Sequence, residues 1–264
     1  MFPILFWILA AVSAVLCGIG FYRFVWFMSV GYGLAIAGIG VTLGIASIVN
    51  GQFGIAYLVM CVLMVVYGCR LGLFLLIRET KNAAYRKTLD AQTKPVPIFV
   101  QVAMWLMMAL LYPCQTSAAM YRLTNGKVTM VGDVFSWIGA AVMLIGILME
   151  AEADKQKSAA KKINPKAPAM DGLYKLCRCP NYFGEILFWT GLTISGLNIL
   201  SGAQWVIALI GYVCIVYIMF SGAKRLEKRQ NKNYGSMPEY RAYADKTPIL
   251  IPFVPIYHLV KEEK

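Results

Sequence analysis

The sequence predicts an all-α protein, a polytopic membrane bundle of about seven transmembrane helices with its N-terminus outside and its C-terminus in the cytoplasm. Three observations carry that expectation. Hydrophobic residues make up 59% of the 264-residue chain and charged residues 14%, a balance found in membrane proteins rather than soluble domains. The apolar residues fall in runs of roughly 17 to 25, enough to cross a hydrocarbon core about 30 Å thick. Short polar stretches separate the runs, and their basic residues segregate by loop.

In order, the spans lie near 2–20, 24–49, 53–77, 96–113, 131–149, 182–200 and 203–221. The first is read as a span and not as a removable signal, because no basic leader and small-residue cleavage site frame it. The second carries Gly31, Gly33, Gly38, Gly40 and Gly44. No strand precedes these glycines, which defeats a Rossmann dinucleotide fingerprint, and Gly40 and Gly44, four apart, suit close helix packing. The third carries Tyr67 and, one turn on, Arg70, the one cation well inside a span. Arg70 either works at a site or snorkels and pairs to close the bundle.

The fifth span ends in "GILMEAEADKQKSAAKKINPKAP", and its helix is expected to run past the membrane to Asn164 and Pro165, since proline cannot continue a helix interior. Glu150, Asp154, Lys157 and Lys161 fall on one face of it. That stripe is either a solvated, ion-paired helix end or the wall of a binding site. Before the sixth span, Asp171 and Gly172 signal a turn, and Pro180 presets the first helical turn with Cys179 or Asn181 as the cap. Asn181 and Glu185 lie one turn apart and reach the same side, with Arg178 just outside to meet a phosphate. An acid at the bilayer edge costs several kcal/mol unless it is paired or functional, against about 0.3–1 kcal/mol returned by the helix dipole. Glu185 therefore needs a partner or a job.

Charge orients the chain. With the N-terminus outside, the cytoplasmic segments 21–23, 78–95, 150–180 and 222 onward hold 22 of the 25 Lys and Arg, and the external loops only Arg122 and Lys127. This is the positive-inside pattern, and it accounts for the net charge of +12 without nucleic acid. Of seven cysteines, Cys17, Cys61, Cys69, Cys114 and Cys214 lie in or beside spans, and Cys177 and Cys179 face the reducing side, so no disulfide framework is indicated. The single histidine, His258, makes a His-based metal site or a Ser-His-Asp triad improbable and reads as a surface or interfacial residue.

The run Arg178, Pro180, Asn181, Tyr182, Phe183, Gly184, Glu185 resembles the membrane steroid 5-alpha-reductase family, in particular its bacterial reductase-like branch of the DUF1295 type. The stretches "VVYGCRLGLFLLIRE", "EAEADKQKSAA" and "EKRQNKNYGSMPEYRAYADKTPILIPF" are similar to other parts of that family, so the resemblance covers roughly residues 55 to 255. It implies an NADPH-dependent reduction of a carbon–carbon double bond conjugated to a ketone in a steroid-like or other lipid substrate. By the same resemblance the chain is one membrane domain in the bacterial inner membrane, with 1–113 lining a substrate cavity and 131–264 binding the cofactor. Asn181 and Glu185 would contact the nicotinamide end. Asp154, Lys157, Arg178 and Tyr182 would hold ribose and phosphates, joined by Arg225, Arg229, Tyr240 and Tyr243. Tyr67 would donate to the substrate carbonyl.

Two departures stand out. The family glutamate that works with that tyrosine is missing, since no acid precedes Glu79, and Gln52 or Asn50 are the residues available in its place. Cys179 stands where the bacterial branch commonly has histidine. The isoprenylcysteine and phospholipid methyltransferases, which use S-adenosylmethionine, share an Arg-x-Pro-x-Tyr motif and a similar tail, and are the alternative enzyme class. A lipid-binding membrane protein that kept the fold without the chemistry is the non-enzymatic one. A transporter is disfavoured, because no repeat relates the two halves.

Overall fold

The structure, a computed structural model, describes residues 2–81 and 96–260. The basic loop expected at 78–95 lies mostly outside them. The described residues are helical, with no strand. The helices are α1 (Ile4–Cys17), α2 (Val30–Val49), α3 (Ile55–Lys81), α4 (Ile98–Gln115), α5 (Ser117–Thr124), α6 (Val134–Ile163), α7 (Pro180–Ile194), α8 (Ala203–Tyr234) and α9 (Pro238–Ala244). Among the described residues six segments are long and apolar enough to cross a membrane: Ile4–Phe21, Phe24–Val49, Ile55–Thr80, Ile98–Gln115, Val134–Ile163 and Ala203–Tyr234. The chain is thus an integral, multi-pass membrane protein whose surroundings are lipid. The remaining expected span, 182–200, is the 15-residue α7 followed by turns. At 1.5 Å per residue it reaches only about 22 Å.

The chain divides into two compact units, Met1–Ala140 with Leu192–Tyr212, and Ala141–Gly191 with Val213–Lys264. In the first, α2 and α3 approach backbone to backbone. A β-carbon on Gly33 would lie 2.6 Å from the Gly68 carbonyl oxygen and 2.7 Å from the Gly72 nitrogen, so only glycine permits the contact. Gly40 sits equally tight, 2.8 Å from the Cys61 carbonyl, while Gly44 has only an ordinary 3.8 Å contact. Of the pair expected to pack, one does so at close quarters.

Pro113 lies inside α4 and withholds a backbone donor. The helix gives way at Thr116, whose hydroxyl donates to the Tyr112 carbonyl at 3.0 Å, and α5 follows. Arg122, expected in an external loop, is instead a buried residue of α5. Its guanidinium donates to Asp133, to the Ser195 carbonyl and to Asn198, tying three segments of the first unit together.

In the second unit the close approach is between α6 and α7. A β-carbon on Gly184 would lie 2.7 Å from the Gly146 carbonyl oxygen and 2.9 Å from the Glu150 nitrogen. The glycine of the Asn-Tyr-Phe-Gly-Glu motif is therefore there for packing. On its α8 side, α7 lays the Tyr182 ring against Gly222, where an added β-carbon would meet it at 3.2 Å.

Candidate functional site

α7 begins at Pro180, so Cys179 precedes the helix and Asn181 lies within its first turn rather than capping it. Gly184 and Phe188 turn one side of α7 to α6, and Tyr182 turns another to α8. Asn181 and Glu185 fall on the arc between those two sides. Glu185 is buried, and Asn181 half-buried.

Each neighbouring helix sends a polar stripe toward this mouth. On α6, Glu150 packs against Gly184, and Asp154 and Lys157 continue the same side toward Ile163. Lys157 acts electrostatically on the Cys179 thiol, which places its ammonium near the start of α7. On α8, Arg225 and Arg229 follow Gly222 by three and seven residues and both act on the Tyr182 hydroxyl. Seven of the residues expected at a cofactor site, Asp154, Lys157, Asn181, Tyr182, Glu185, Arg225 and Arg229, are thus gathered in one unit around the N-terminus of α7. That terminus adds its own partial positive charge.

Arg178, Tyr240 and Tyr243 stand beside this mouth in a second cluster. Its centre is Glu227, fully buried on α8 and not foreseen from sequence. Glu227 accepts from Arg178 at 2.8 Å, from the Leu259 N–H at 2.8 Å and from the Val260 N–H at 3.0 Å, with the His258 ring nitrogen at 3.1 Å. Arg178 also donates to the Tyr257 carbonyl, while its Nε and Nη1 are buried without a hydrogen bond. Tyr240 donates to Asn231 at 3.3 Å, and Tyr243 to the Tyr174 carbonyl at 2.6 Å. His258, expected at a surface, is partly exposed and spans two carboxylates, its second nitrogen 3.1 Å from Asp245. Burial pushes the Tyr174, Tyr240 and Tyr243 phenols above their ordinary range. Burial likewise pushes the Cys177 and Cys179 thiols up to about 12, which leaves them inert at neutral pH.

A family model described as protein of unknown function, DUF1295, matches residues 25–247. The chain belongs to the DUF1295 family. No curated protein and no solved structure matches it. The match to the DUF1295 model takes in the mouth at the start of α7, the Arg178, Glu227, Tyr240 and Tyr243 part of the second cluster, and Tyr67, which belongs to the first unit; the segment 257–260 lies beyond it.

Tyr67 of this DUF1295 protein is fully buried, and its hydroxyl lies 2.9 Å from that of Tyr32. Tyr32 was not singled out from sequence, although a tyrosine between Gly31 and Gly33 in an apolar span is a visible signal. Gln52 and Asn50, the residues available for the missing acid, lie at the α2–α3 turn, with the Asn50 amide on the Ala46 carbonyl at 2.8 Å. Tyr67 is twelve residues along α3 from Ile55, about 18 Å. Glu79 is equally far beyond Tyr67 and is engaged by the Trp26 indole N–H. A second phenol, that of Tyr32, is thus a polar partner of Tyr67.

Proposed function

We propose that this DUF1295 protein is a membrane-embedded, NADPH-dependent reductase of a carbon–carbon double bond conjugated to a ketone, acting on a steroid-like or other lipid substrate. The observation that supports this most is the convergence of Lys157, Arg225 and Arg229 with Asn181 and Glu185 on the N-terminus of α7. Three cations and a helix N-terminus suit a phosphate-rich ligand, and the half-buried Asn181 amide and buried Glu185 carboxylate suit its polar aromatic end. The two nitrogens of Arg178 that lack a hydrogen bond, Nε and Nη1, are further donors for phosphate oxygens.

NADPH, when bound, supplies a hydride to the carbon β to the ketone. Negative charge then gathers on the ketone oxygen, and Tyr67 is the residue assigned to hold it, its O–H donating to that oxygen. The Tyr32 O–H donates in turn to Tyr67 and makes it the stronger donor. A proton from water at the carbon next to the ketone completes the saturated product. The bacterial inner membrane is the compartment this assignment implies.

The test is titration of purified protein with NADPH and, in parallel, S-adenosylmethionine, read by thermal stability. A ligand at 100 times its Kd raises stability by about 2.7 kcal/mol. A shift with NADPH alone, lost in Glu185→Gln and Asn181→Ala, is expected. A shift with S-adenosylmethionine alone would replace hydride transfer by methyl transfer, and no shift from either would leave a lipid-binding scaffold.

A further inference from the structure

On the side of α8 opposite Gly222, Arg225 and Arg229, the second unit carries a pocket of about 980 Å³. Lys224, Lys228 and Asn231 line it, following one another at four and three residues and so forming one stripe. Arg241 of α9, the pair His258 and Asp245, and Tyr240, which the resemblance had assigned to the cofactor, complete its polar wall. Among the described residues no ion pair holds Lys224 or Lys228. Asp245, the one acid among the described residues that line the pocket, is already engaged by His258 at 3.1 Å. The described lining is therefore net positive.

Its depth points to what balances that charge. Residues 203–223 of α8 contain no charged side chain, and Lys224 is the first. It stands where the apolar run stops, at the level of lipid headgroups, and the stripe continues about 10 Å further to Asn231. One flank of the pocket is the half-buried, apolar pair Leu259 and Val260.

We infer that this pocket binds the phosphate of an anionic phospholipid headgroup, at a site separate from the candidate cofactor mouth on the other side of α8. Lys224 and Lys228 contact the phosphate oxygens, and Asn231 and Arg241 meet the polar group attached to it. The chemistry recognised is a phosphate ester. Headgroup depth and the apolar flank assign it to lipid rather than to a soluble phosphate.

The experiment uses full-length protein in phosphatidylcholine nanodiscs with increasing phosphatidylglycerol, read by thermal stability and by lipid retained in native mass spectrometry. Wild type is expected to retain phosphatidylglycerol over phosphatidylcholine and to gain stability. Lys224→Gln/Lys228→Gln is expected to bind it at least about tenfold more weakly. Lys155→Gln/Lys162→Gln, which removes the same charge from exposed positions on α6, is expected to behave as wild type. Equal loss in both double variants would show surface potential alone and overturn the site. Undiminished retention in Lys224→Gln/Lys228→Gln would overturn it too, as would no preference in wild type. A shift with inorganic phosphate or NADPH that the lysine variant abolishes would make the pocket one for soluble phosphate. NADPH affinity itself is read in the same variants and is expected to stay unchanged, so failure of the lipid site and failure of the reductase assignment give different results.

Discussion

At the residue scale, environment decides more than residue type. Cys177 and Cys179 read in sequence as free thiols on the reducing side, yet burial pushes both up to about 12. At pH 8 only about one in ten thousand of each is thiolate. Maleimide labelling followed by mass spectrometry is expected to leave both unmodified in folded protein at that pH and to modify them in denaturant; rapid labelling of the native state would contradict their burial. The same elevation sets a pH dependence. Between roughly pH 9 and 12 the unfolded chain gives up thiol protons that the folded chain keeps, so stability is complete below about 9 and falls as pH rises, by about 1.4 kcal/mol per pH unit for each thiol. Melting curves of Cys177→Ala/Cys179→Ala against wild type across that window are expected to show the shallower decline in the variant. Glu185 was legible at this scale because an acid at a span's edge stands out. Glu227 was not: it lies among lysines and arginines in "KRLEKRQNK", and nothing local marks which charge in such a run turns inward.

At the scale of elements, glycines at helix crossings set the site. Gly184 holds α7 against α6 closely enough that the Glu150–Asp154–Lys157 stripe and the Asn181–Glu185 pair share one mouth. Gly184→Val puts methyl groups where backbone already is, and backbone cannot give way as a flexible side chain does. A loss of about 1–3 kcal/mol is expected, with NADPH affinity lost beyond what the stability change explains. Gly44→Ala, whose new carbon meets nothing nearer than 3.8 Å, is expected to be neutral in thermal melts; a large loss there would mean the crossing is tighter than described. The helices themselves were readable from apolar length, and the continuation of α6 beyond the bilayer from its polar face and the Asn164–Pro165 stop. Partners across a crossing were not, since span two offers five glycines and the sequence does not say which of them meets α3. Tyr32 was missed for the same reason, because its pairing with Tyr67 joins residues 35 apart along the chain.

For the whole molecule, sidedness turns on α7. If this short helix and its following turns cross the bilayer, α8 returns to the side where residues 150–180 lie. Arg178 meets Glu227 of α8 at 2.8 Å, which holds the basic end of α8, with Lys224, Arg225, Lys228, Arg229 and Lys232, on the side where residues 150–180 lie, in keeping with the positive-inside pattern. Charge therefore predicts a crossing, eased by local thinning of the bilayer around a short apolar stretch. Fusions of alkaline phosphatase and of a fluorescent protein after residues 127, 201 and 234 read this directly. Phosphatase activity at 127 and 201 and fluorescence at 234 are expected; fluorescence at 201 would mean that α7 stays on the cytoplasmic side. The class of the molecule was plain from composition, whereas the number of crossings rests on a 15-residue helix that apolar counting merged with the turns after it.

The Glu227 cluster bears on biogenesis. Its carboxylate is satisfied from both directions along the chain, by Arg178 before it and by the Leu259 and Val260 amides after it. When the translocon releases α8, the later half of that shell does not yet exist. An ion headed for burial must stay hydrated until the segment at 257–260 arrives, because sealing it half-paired costs about 3–5 kcal/mol. The second unit thus has an assembly order written into it: membrane insertion first, closure of its polar end afterwards.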